Sequence, residues 1–124
     1  MATGKSTYLD NGGSAVNVDL RYTVEAEQVA YVDGFLGITV RSGDSGDTIA
    51  LTTDHQAYQF TVPSTLSVSK GQTVYVDVTD LTGHIPDDTA YSTSSGANKV
   101  ALFKALENKD ANHCVTGILL PEGV

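Results

Sequence analysis

The chain has 124 residues, 40% of them hydrophobic and 18% charged, and its 7 basic and 15 acidic residues leave a formal charge of −8. That length supports one domain with one core, and the composition excludes both a low-complexity disordered chain and a membrane helix, which needs about 20 consecutive apolar residues. The basic residues are scattered, so there is no cluster to displace counterions from phosphates, and neither a nucleic-acid nor a membrane partner is expected. One cysteine, Cys114, permits no internal disulfide. Residues 1–7 lack the apolar run of a signal peptide, so synthesis and folding in a reducing cytoplasm are expected.

Residues 1–14 are small and polar, with Tyr8 and Leu9 as apolar handles, and are expected to form a flexible N-terminal arm ahead of a β-rich domain over 15–124. Over 16–24 every even position is apolar and every odd one polar, which predicts a strand with Tyr22 among the core-facing residues. Residues 29–32 read as a strand ending at Asp33-Gly34, a pair that favours a two-residue hairpin turn, with 35–40 as the return strand. A loop over 41–47 precedes a strand over 48–52, and Asp54-His55 turns the chain into a strand over 58–62 that Pro63 stops. Residues 73–78 alternate again. The stretch 81–96, rich in Asp, Ser, Thr and Gly, is expected to be one long exposed excursion.

The next segment supports two readings. Val100, Phe103 and Leu106 recur at helical spacing, whereas a hairpin of strands 100–106 and 114–120 has arms of matched length and is preferred. With 15 Thr, 14 Val and 12 Gly, the whole predicts an all-β fold, a single small barrel or sandwich of short antiparallel strands without internal repeats.

Four features invite a chemical reading. Gly4-Lys5-Ser6 matches the end of a phosphate-binding loop, but the first glycine and the strand that feeds such a loop are missing. His113 and Cys114 are adjacent, so on a strand their side chains diverge and form neither a nucleophile pair nor a metal site; a buried thiol beside an exposed imidazole is expected. His55 and His84 stand alone in turns. Asp44-Ser45-Gly46-Asp47 and Asp87-Asp88 offer oxygens without the closing bidentate acid of a calcium loop, so they read as solvated turns. Tyr22, Tyr31 and Tyr75 fall within strands, where packing is the expected use of the rings. No catalytic residue, metal site or cofactor is expected, and the chain reads as non-enzymatic.

The order of three segments carries the most information. Val24-Glu25-Ala26-Glu27-Gln28-Val29-Ala30-Tyr31-Val32-Asp33-Gly34-Phe35-Leu36-Gly37-Ile38 is followed by Ser45-Gly46-Asp47-Thr48-Ile49-Ala50-Leu51 and then by Val68-Ser69-Lys70-Gly71-Gln72-Thr73-Val74-Tyr75-Val76-Asp77. This succession, with the closing hairpin around 105–120, resembles the small β-rich decoration, or cement, proteins of tailed-phage capsids. The resemblance covers about residues 15–120, and the chain has Glu27-Gln28 where that family usually has Gly-Asp. It implies a homotrimer on the outer capsid surface of a virion, bound to the major capsid protein and stabilising the shell. The recombinase label that such proteins sometimes carry gains nothing from this chain, which lacks a complete phosphate loop and is acidic. A strongly acidic protein fits that role, since it stays soluble at high copy number and avoids the packaged genome.

In this reading Thr3, Lys5, Thr7, Tyr8 and Leu9 of the arm are the expected capsid contacts, pairing with an exposed strand edge and gaining avidity from three arms per trimer. The alternative expectation is a β-sandwich carbohydrate-binding or adhesin module of a phage tail or cell surface, with its site on the loop 81–96.

Overall fold

In a computed structural model, which describes residues 15–120, the chain is built almost wholly of antiparallel strands. They are β1 (Ala15–Asp19), β2 (Val29–Val32), β3 (Phe35–Thr39), β4 (Thr48–Thr52), β5 (Ala57–Thr61), β6 (Thr73–Asp77), β7 (Leu81–Thr82), β8 (Ile85–Pro86), β9 (Tyr91–Ser92), β10 (Lys99–Ala105) and β11 (Cys114–Leu119), with one 3-10 turn at Asp88–Ala90. One sheet has the order β1-β4-β3-β2 and a second the order β5-β11-β10-β6-β9, while β7 and β8 form a separate small hairpin. The all-β expectation holds, as an open pair of sheets rather than a closed barrel. No helix among the described residues is long and apolar enough to cross a membrane.

The period of two along the strands divides the first sheet between two cores. Val29, Tyr31, Leu36 and Ile38 face the second sheet and join the larger core around Phe60, Val74, Val76, Phe103, Val115 and Leu119. The opposite face contributes Val18, Ala30, Val32, Ile49 and Leu51 to a smaller core, closed by Leu20 and Val24 and flanked by Val16 and Ile85. At the heart of the larger core the rings of Phe60 and Phe103 lie parallel, with centroids 4.1 Å apart.

Two local devices set the strand geometry. Asp33 and Gly34 have φ of 52° and 85°, the paired left-handed conformation of the two-residue turn expected between β2 and β3. In β10, Val100 lies opposite Val76 while Phe103 lies opposite Val74. A bulge between Ala101 and Phe103 therefore matches three residues of β10 to two of β6. That offset accounts for the three-residue spacing between Val100 and Phe103, while Leu106 lies past the end of β10 and is exposed; the segment is the expected hairpin.

Several expectations need correction. The first strand ends at Asp19. Beyond it the chain bends, with the Leu20 N–H donating to the Asp47 carbonyl, and it rejoins the sheet only through a bridge between Val24 and Gly43. The bend breaks the alternation, so Tyr22 is 55% exposed rather than in the core, its ring edge-on to His84. Cys114 is half-buried, not buried, because the inward phase of β11 belongs to Val115, Gly117 and Leu119. The segment 81–96 is no open excursion either: it forms β7, β8, β9 and the 3-10 turn, and buries His84, Pro86 and Ala90. The arm residues Thr3, Lys5, Thr7, Tyr8 and Leu9, and Gly4-Lys5-Ser6 with them, lie outside the described residues.

Candidate functional site

Both edge strands of the second sheet, β5 and β9, contribute side chains to one gap. Residues 27–29 and Ile38 of the first sheet, with Ile85 of β8, lie in that gap. The seam so formed is a cleft of about 520 Å³. Its apolar lining is Val29, Ile38, Tyr58, Phe60, Ile85 and Tyr91, and its polar lining is Glu27, Gln28, Gln59 and Thr61.

Each wall has a local cause. Thr39, fully buried at the end of β3, donates its hydroxyl to the Glu25 carbonyl and accepts the Gln28 N–H, while its own N–H donates to the Gln28 carbonyl. These bonds hold the turn before β2 against β3 and place Glu27 at the cleft, with a left-handed φ of 58°. On the opposite wall Tyr58 donates its hydroxyl to the Asp54 carboxylate at 2.9 Å. Burial, and then the bond to that carboxylate, raises the Tyr58 phenol above its ordinary range. Burial does more to Tyr91, whose phenol is pushed up to about 12 with a smaller contribution from Asp88. Both phenols are therefore neutral hydroxyl groups at physiological pH.

The edge of β5 is the chemically distinctive part of the seam. The Val62 N–H donates to the His113 carbonyl and the Leu119 N–H to the Gln56 carbonyl. Hydrogen-bonded pairs alternate along an antiparallel ladder, so Tyr58 and Phe60 direct their backbone groups to β11. The backbone groups of Ala57, Gln59 and Thr61 then point outward, and no described strand pairs with that edge. An edge of this kind accepts an added strand through main-chain hydrogen bonds, with neighbouring pockets selecting side chains.

The histidines are dispersed. His84 is buried and knits the β7–β8 hairpin to the first sheet: Nε2 accepts the Arg21 N–H at 3.0 Å, and Nδ1 lies 3.2 Å from the Tyr31 carbonyl, to which it donates. The Tyr31 N–H in turn donates to the His84 carbonyl. Burial lowers the His84 pKa, against the raising effect of the Tyr31 carbonyl. His113 is exposed beside Cys114, whose Sγ lies 3.8 Å from the Thr61 hydroxyl and 3.6 Å from the Asn112 carbonyl.

The carboxylates of the first acidic turn are occupied locally, Asp47 accepting the Asp44 N–H and Asp44 the Thr23 hydroxyl. Among the described residues no group of three or more His, Cys, Asp or Glu side chains converges as metal ligands would. The seam was not legible in the sequence, since only the folded chain brings residues 58–61 of one edge strand and Tyr91 of the other to the same cleft. Comparison of the chain with family models, curated proteins and solved structures gave no match.

Proposed function

We propose that this protein is a structural component of a phage virion, a decoration or cement protein that binds the outer capsid surface as a trimer and stabilises the shell. The observation that carries the reading is the ordered succession of family-like segments, which fall on the β2–β3 hairpin, on β4 with its preceding turn, and on β6 with the turn before it. The position of Glu27 supports the alignment. Its φ of 58° lies in the left-handed region that favours glycine, the residue usual there in the family pattern. The acidic surface suits a protein present in many copies beside packaged nucleic acid.

In this proposal the major capsid protein is the partner, and Thr3, Lys5, Thr7, Tyr8 and Leu9 make the contact. Deleting residues 2–14 should leave a folded domain that no longer co-sediments with capsids lacking the protein. Unimpaired binding by that truncation would overturn the arm's part in attachment.

A further inference from the structure

The geometry points to the outer edge of β5 as the place where a second copy of this chain pairs, strand to strand, about a two-fold axis at Gln59. The sheet edges differ in how they are guarded. β2 is covered, its Tyr31 N–H donating to the His84 carbonyl of the β7–β8 hairpin. β9 has only two residues, and β1 ends in Asp19, whose N–H donates to the Asp33 carboxylate. β5 has five residues without charge, proline or bulge, the devices that keep exposed edges apart. Ala57, Gln59 and Thr61, whose backbone groups point away from β11, are all exposed.

Symmetry makes a second copy the fitting occupant. An antiparallel pair about a two-fold axis at Gln59 sets that residue opposite Gln59 of the other copy, and Ala57 opposite its Thr61. These are the positions whose N–H and C=O groups are turned outward. Residues in such pairs exchange both of their main-chain hydrogen bonds, so this register leaves no outward donor or acceptor of β5 over.

The side chains agree with that register. On the outer face the two Gln59 amides meet, and an amide both donates and accepts, so the residue can bond its own copy. Ala57 leaves room beside Thr61 of the second copy. On the inner face Tyr58 stands opposite Phe60 of the second copy, an aromatic cross-strand pair. Charge is the last argument. At a formal −8, two copies repel over much of their surface, and β5 itself carries none of that charge.

The inference concerns the free protein and does not rest on the shell reading, since a two-fold pair is a different contact from a three-fold one. Sedimentation equilibrium of the full chain tests it, with amide hydrogen exchange at Gln59 and Thr61 followed over the same concentrations. The mass should rise with concentration from one chain toward two. The two amides should slow in step, while those of Val74 and Val76 stay unchanged. Gln59→Pro, which removes an N–H that no described strand uses, should weaken pairing at least about 10-fold. Gln59→Lys and Gln59→Glu should each weaken it about 5-fold by opposing like charges, and an equimolar mixture of the two should regain it. A single-chain mass at every concentration up to about 1 mM would overturn the inference. So would an assembly that ignores these substitutions, or one in which Gln59 and Thr61 exchange as fast as in the single chain.

Discussion

His84 and Gly117 show how single residues hold this fold. Both ring nitrogens of His84 are engaged in the neutral tautomer, one donating to Tyr31 and one accepting from Arg21. A proton on Nε2 would oppose the Arg21 N–H, which agrees with the lowered pKa. The unfolded chain then takes up this proton more readily than the folded one. The contribution of His84 is therefore complete above pH about 6.5 and is lost as pH falls from there toward the lower folded pKa, at a limiting slope of about 1.4 kcal/mol per pH unit. Asp33 and Asp77 carry carboxyls held below their ordinary pKa, mainly by the Asp19 N–H and by Thr79, so their contributions are lost only at lower pH, below about 4. Chemical denaturation of wild type and His84→Gln between pH 4 and 7 should show a flatter profile for the variant. Gly117 faces the core beneath Phe103, where an added Cβ would come within 2.3 Å of the ring. Because Phe103 is fully buried and stacked on Phe60, Gly117→Ala should cost about 1–3 kcal/mol in a urea titration.

Among the elements, those with a clean period of two were legible in the sequence, and the β2–β3 hairpin most of all, because Asp33-Gly34 announces its own turn. Gly34 has nothing within 4 Å of where a Cβ would stand, so Gly34→Ala isolates the cost of its φ of +85° and should destabilise by roughly 1–2 kcal/mol without loss of fold. Elements whose pattern depends on distant contacts were harder to read. The bulge in β10 turns a period of two into a spacing of three, and only the pairing with β6 reveals it. The segment 81–96 looked like a surface loop because its polar residues conceal three buried positions, His84, Pro86 and Ala90. Tyr22 misled in the opposite sense, since the bend at residues 21–22 lies inside an uninterrupted alternation.

At the scale of the molecule, two short-stranded sheets share one core and the first sheet buries a second core on its other face. This arrangement leaves a seam between β5 and β9, bordered by an edge of β5 that pairs with no described strand. Such an edge invites strand addition. The sequence showed the arm's composition and the family-like order of strands; the seam needed the fold, because its walls come from residues as distant as Glu27 and Tyr91. The central claim is that the protein binds a phage shell. Its most direct test is co-sedimentation of the full-length protein with capsids that lack it, before and after shell expansion. The account predicts saturable binding to at least one of the two forms, and binding to neither would contradict it.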